Sequence, residues 1–234
     1  MIFRACFCLA LICFVTITGF SQLAGNPENW CREGFFTQET RNFGVGFVKP
    51  KTGNRTYFYN DDPSKCPAAS FCRSKSYLVK QDRVITSKIL GEHVCAWFTG
   101  SRGEVKVGWL KKADLDFPEM LTDASEKVWT GEWQYGSNTI SFSPNKLAGY
   151  LNVKGNAFWK GMGDNIHIGE LDGRFEPQDG FLEYSDGNGQ YDCRARMILS
   201  METLLIVADN GYCGGANVSF SGIYRKVAVK PKKK

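Results

Sequence analysis

From Val128 to Lys226 the chain alternates polar and apolar residues in short runs, each closed by a turn pair. Tyr191, Cys193, Ala195 and Met197 alternate with Asp192, Arg194 and Arg196, and Ile140 and Phe142 flank Ser141. A period of two is the signature of a strand with one face buried. Candidate strands are Val128–Tyr135, Thr139–Ser143, Ala148–Val153, Ala157–Gly161, Asn165–Leu171, Gly180–Tyr184, Gln190–Met197, Thr203–Val207 and Val218–Lys226. Pro144-Asn145, Lys154-Gly155, Asp172-Gly173, Asp186-Gly187 and Asn210-Gly211 read as the turns between them. The expectation is an eight- or nine-stranded antiparallel barrel or sandwich. The 25 glycines and 14% aromatic content fit short strands and tight turns throughout, an all-β chain.

The first half predicts strands over Arg55–Tyr59, Ser76–Ile85, Glu92–Phe98 and Glu104–Leu110, spaced closely enough for a small barrel. Within it run Tyr77-Leu78-Val79, then Asp82 and Val84, Cys95 and Trp97, then Gly108-Trp109-Leu110 and Leu115. Over residues 55–116 this order resembles the bacterial SH3-like domains of secreted and periplasmic proteins, with Gln81-Asp82 where those domains usually carry Gly-Asp. The resemblance implies a non-catalytic module that binds a cell-envelope protein or a peptidoglycan peptide. Tyr57, Tyr59, Trp97 and Trp109 are its candidate partner-binding aromatics, set against the simpler reading that they fill a small core.

The second half opens with Thr130-Gly131-Glu132-Trp133 and closes with Gly222-Ile223-Tyr224-Arg225. This resembles the calycin pattern, in which a Gly-x-Trp on the first strand meets a basic residue on the last. It implies Arg225 lying over Trp133, a contact worth roughly 0.5–2 kcal/mol. The organisation expected is a signal peptide over 1–21, an N-terminal extension over 22–54, the SH3-like domain over 55–116, a linker over 117–127, the barrel over 128–226 and a basic tail over 227–234.

Met1-Ile2-Phe3-Arg4 followed by an apolar run to Phe20, with Gly19-Phe20-Ser21 as the cleavage region, reads as a secretory signal. Six cysteines follow it, and an even set in an oxidising compartment predicts three disulfides. Cys193–Cys213 is the natural pair of the second half. The other four allow three pairings, of which Cys66–Cys72 with Cys31–Cys95 is favoured.

The net charge of +5 is unevenly placed: residues 26–120 carry +4, residues 121–225 carry −5, and the last nine carry +5. A near-neutral body lacks the footprint of a nucleic-acid binder. The tail, with Lys230 and Lys232 to Lys234, predicts at most a loose contact with anionic surfaces.

No motif points to catalysis. With 2 histidines, no Gly-x-Ser-x-Gly and no unpaired mature cysteine expected, the chain offers no recognisable nucleophile–base pair. Asp186 to Asp192 spaces oxygens as a calcium loop does, but Tyr191 and Met197 stand where the essential Gly and Glu belong, so a plain hairpin loop is expected. No cofactor or metal is called for. Asn54-Arg-Thr56 and Asn217-Val-Ser219 match glycosylation acceptors and matter only in a eukaryotic secretory route. The expected function is a secreted or periplasmic binding protein, the alternatives being an inhibitor of a lysozyme or protease and a carrier of a small apolar ligand.

Overall fold

The computed structural model describes residues 26–38, 42–62, 65–117, 125–200 and 202–228. The signal segment, most of the linker and the tail from residue 229 lie outside the described residues. The chain is all-β, 51% strand and 9% helix, with a curled half-barrel sheet followed by a nearly closed eight-stranded antiparallel barrel.

The first sheet contains β1 (Gly44–Val48), β2 (Arg55–Tyr59), β3 (Arg73–Val79), β4 (Arg83–Leu90), β5 (His93–Thr99), β6 (Val105–Lys111) and β7 (Leu115–Asp116). Their spatial order is β3-β2-β6-β5-β4-β1-β7. Two departures from the sequence reading stand out. Gly44–Val48, inside the expected N-terminal extension, is a strand that pairs with both β4 and β7. The run Ser76–Ile85 is broken, because Gln81 takes φ 75° and reverses the chain between β3 and β4. The concave side buries Val48, Phe58, Leu78, Val84, Val94, Ala96, Leu110 and Leu115.

The barrel contains β8 (Gly131–Tyr135), β9 (Asn138–Pro144), β10 (Leu151–Lys160), β11 (Ile166–Phe175), β12 (Phe181–Ser185), β13 (Arg194–Ser200), β14 (Leu204–Asp209) and β15 (Gly222–Lys226). It is antiparallel throughout, with β15 returning to pair with β8. Val128 and Trp129, expected to begin the first strand, instead lie in a short helix over Glu126–Trp129, and the Trp133 indole N–H donates to the Trp129 carbonyl at 2.9 Å.

Lys154-Gly155 and Asp172-Gly173 are not turns. They lie opposite one another inside the ten-residue hairpin strands β10 and β11. A Cβ on Gly155 would stand 3.0 Å from Phe220 and 3.1 Å from Leu171, so the glycine makes room for two core side chains. The remaining seam, between β11 and β12, is closed by one side chain and by the loop between β14 and β15. The Tyr184 hydroxyl accepts from the Asp172 amide at 3.2 Å, and the Gly215 amide donates to the Ile168 carbonyl at 3.2 Å.

Trp129, Trp133, Ile140, Leu151, Val153, Ala157, Met197, Leu205, Val207, Phe220 and Tyr224 are all 0% exposed inside the barrel. A lumen wide enough for water would leave accessible area on the side chains lining it. The carrier alternative needs such a lumen, and these residues fill the space it would occupy.

The Trp133–Arg225 pair is corrected by one residue. Lys226 pairs in register with Trp133, its ammonium lies 5.3 Å from the indole centroid, and it donates to the Val128 carbonyl. Arg225 pairs with Gln134, and both are exposed on the outer face. Neighbours on a strand point to opposite faces, so only one of residues 225 and 226 can reach a Trp that faces inward.

The two sheets meet through apolar surface. Ile198, Leu204, Ile206 and Ile223 on the outside of the barrel are buried against Phe36, Val45, Ile85, Trp97 and Trp109. A short helix, Glu33–Phe36, is wedged at this junction. Cys31–Cys95 ties its chain to β5, Gln38 donates to the Asp209 carbonyl at 3.1 Å, and the Tyr135 hydroxyl bonds Glu33. All three disulfides take the expected pairings, Cys31–Cys95, Cys66–Cys72 and Cys193–Cys213.

Candidate functional site

The four aromatics singled out in the first half divide into two pairs. Trp97 and Trp109 are 2% and 0% exposed, on the convex side of the first sheet where it meets the Glu33–Phe36 helix and the barrel. Trp109 donates its indole N–H to the Asn29 carbonyl at 2.8 Å, and Trp97 donates to Thr99 Oγ1 at 3.1 Å. Both are core residues, because the barrel covers the face on which they stand; neither can touch a partner. Tyr59 is half-buried, its ring 5.0 Å from His93 and 5.6 Å from the Lys111 ammonium. Tyr57 is half-buried as well.

Beyond the rim of the barrel the convex face continues onto β2 and β3. Alternation puts Thr56, Phe58 and Leu78 on the concave side, so Arg55, Tyr57, Arg73, Lys75, Tyr77 and Val79 share the outer side. The register sets Tyr57 opposite Tyr77 and Arg55 opposite Val79. The two tyrosine rings lie 5.9 Å apart, the Arg55 guanidinium 4.1 Å from the Tyr77 ring and the Arg73 guanidinium 4.7 Å from the Tyr57 ring. Tyr77 is 42% exposed and Val79 45%. No salt bridge among the described residues engages Arg55, Arg73 or Lys75.

The start of β3 is fixed from behind. Cys66–Cys72 closes the loop before it, and the Asn60 amide donates to the Cys72 carbonyl at 2.8 Å. Among the described residues β3 pairs only with β2, so no strand covers its other edge. The result is a surface of two tyrosines and three cations beside an open strand edge. A guanidinium flat over a ring keeps outward N–H donors for a carboxylate. Lys75 in the middle of the edge strand discourages pairing with a second copy, whereas an acidic strand meets opposite charge.

Tyr77, Arg55 and Arg73 were not among the residues expected to bind. The signal for Tyr77 was present, since a buried Leu78 forces its neighbours outward; Arg55 and Arg73 needed the pairing register, which local pattern does not give.

Among the described residues no group of three or more His, Cys, Asp or Glu could hold a metal ion, and no helix is long and apolar enough to cross a membrane. Comparison with protein-family models, curated proteins and solved structures finds no match.

Proposed function

We propose that this chain is a non-enzymatic binding protein of the secreted or periplasmic space, whose SH3-like half holds an acidic, extended segment of a cell-envelope protein or peptide. The observation that carries the reading is the outward-facing ladder of exposed Arg55, Arg73 and Tyr77 with half-buried Tyr57, beside the free edge of β3. An extended partner can add to that edge through main-chain hydrogen bonds while its alternate side chains meet the tyrosines and cations. Three disulfides support an oxidising compartment, in keeping with the apolar leader. The basic tail adds loose attraction to anionic envelope surfaces.

The test is a crosslinking pull-down from envelope extract with the mature protein beside its Tyr57→Ala/Tyr77→Ala and Arg55→Ala/Arg73→Ala variants. A defined partner captured by the parent and lost from both variants supports the reading. An unchanged set of captured proteins removes the face from consideration.

A further inference from the structure

The two sheets do not close on one another everywhere. Beside their apolar junction they leave a cleft of about 450 Å³, walled on one side by the β5–β6 turn and the start of β6, and on the other by β8 and β15 of the barrel. The volume falls inside the roughly 300–1,000 Å³ typical of small-ligand sites, which favour the line where two bodies meet. Gly103 on one rim and Gly136 on the other take φ of 88° and 57°, and a Cβ on either would stand in open space. The mouth is therefore edged by bare backbone rather than by side chains that would fill it.

Val105, Tyr135 and Ile223 give the cleft an apolar wall. Tyr135 is held in place, its ring 5.8 Å from that of Trp97 and 5.7 Å from that of Tyr224, and its hydroxyl bonds Glu33. Among the described residues Arg225 is the one charged residue lining the cleft. A second cation comes from the other sheet. Ile85 pairs with Trp97, so Arg83, two residues earlier, stands on the same face toward Thr99, which lines the cleft. Partial burial first and the Arg225 charge second hold the Arg83 pKa below its usual value, which places the two guanidiniums within reach of each other's field. Neither arginine has an ion pair or a side-chain hydrogen bond among the described residues. Glu104, the acid of the β5–β6 turn, is folded back on its own loop: its carboxylate lies against Gly100 and accepts from the Arg102 amide at 3.1 Å. Two like charges brought together from separate sheets without an acid between them favour an anion that comes to them.

We propose that this cleft binds a small organic carboxylate with an apolar body, the body lying against Val105, Tyr135 and Ile223 and the carboxylate reaching Arg225 and Arg83. A guanidinium holds a carboxylate through two parallel N–H donors. A bare inorganic anion would leave the apolar wall unused, and a neutral apolar molecule would leave both arginines unanswered. The site lies outside the packed barrel and needs no lumen. It is separate from the β2–β3 face and does not depend on it.

Isothermal titration calorimetry on the mature protein tests this with 2-naphthoate and octanoate as probes and their neutral amides as controls. The expected result is binding of at least one carboxylate, with its amide about tenfold weaker or more. Arg83→Ala/Arg225→Ala weakens the carboxylate by a similar factor, and Ser101→Trp, which fills the exposed mouth without touching either charge, weakens it too. The urea midpoint of the double alanine variant stays at or above the parent's, because a like-charge contact has been removed, so lost binding is not lost fold. Tyr57→Ala/Tyr77→Ala binds as the parent does. Three results overturn the proposal: no heat of binding with either carboxylate at millimolar concentration, an amide bound as tightly as its carboxylate, or an affinity unchanged in Arg83→Ala/Arg225→Ala.

Discussion

At the scale of single residues, His93 shows how neighbours set a titration. It is buried on β5, 5.0 Å from the Tyr59 ring and opposite Lys111, and its Nε2 has no partner among the described residues. Burial first and the Lys111 charge second hold it below its usual 6.5, with Glu92 opposing weakly. The folded chain therefore binds this proton less readily than the unfolded chain. Well above pH 6.5 neither form is protonated and the residue is silent. As pH falls below 6.5 the unfolded chain gains a proton first, and stability drops by at most about 1.4 kcal/mol per pH unit. His93→Gln removes that increment. Its urea midpoint should fall less than the parent's between about pH 7.5 and 5, and parallel losses would show that His93 contributes nothing. The Lys226–Trp133 contact carries a second lesson. The parity of Gly222 and Tyr224 turns Arg225 outward and Lys226 inward, an alternation visible in the same residues that carry the calycin resemblance.

At the scale of elements, glycine has a meaning that local sequence does not carry. Lys154-Gly155 and Asp172-Gly173 look like turns in one dimension, yet they sit in the two longest strands of the barrel. Their meaning lies in what faces them, Phe220 and Leu171 for Gly155, and those neighbours are distant in sequence. Gly155→Val should cost about 1–3 kcal/mol in a urea titration, since the added methyls have no space without moving core rings; an unchanged midpoint would show that the barrel relaxes freely there. Alternation identified β9 and β12 to within about two residues, because each has one wet face and one dry face, whereas β14 is buried on both faces and stands out as an apolar run. It missed β1, whose Gly44-Val45-Gly46 offers little side-chain contrast. The proposed binding face is half legible in sequence: Tyr57 stands out in its aromatic run, whereas Trp97 and Trp109 are core residues because the body covering them comes from residues far along the chain.

At the scale of the whole molecule, the two halves carry opposite charge, +4 and −5, yet the junction is made of Ile198, Leu204, Ile206 and Ile223 against Phe36, Val45, Ile85, Trp97 and Trp109. These barrel side chains are 8%, 4%, 1% and 5% exposed in the full chain and would become surface in a fragment covering residues 125–228. That fragment should bind a hydrophobic dye and self-associate where the full chain does neither; a monomeric fragment without dye binding would mean the halves are independent bodies. The seam of the barrel has a consequence of another kind, for the order in which the molecule breathes. Seven strand junctions are ladders of main-chain bonds, while the eighth rests on the phenol of Tyr184 and the loop at Gly215. Deuterium should enter the amides of Ile166–Phe175 ahead of those of β14, and Tyr184→Phe should hasten that entry without changing global unfolding much. The barrel then has a built-in first place to part, like the overlap of a rolled sheet, and its slowest amides belong to β14, which is covered on both faces.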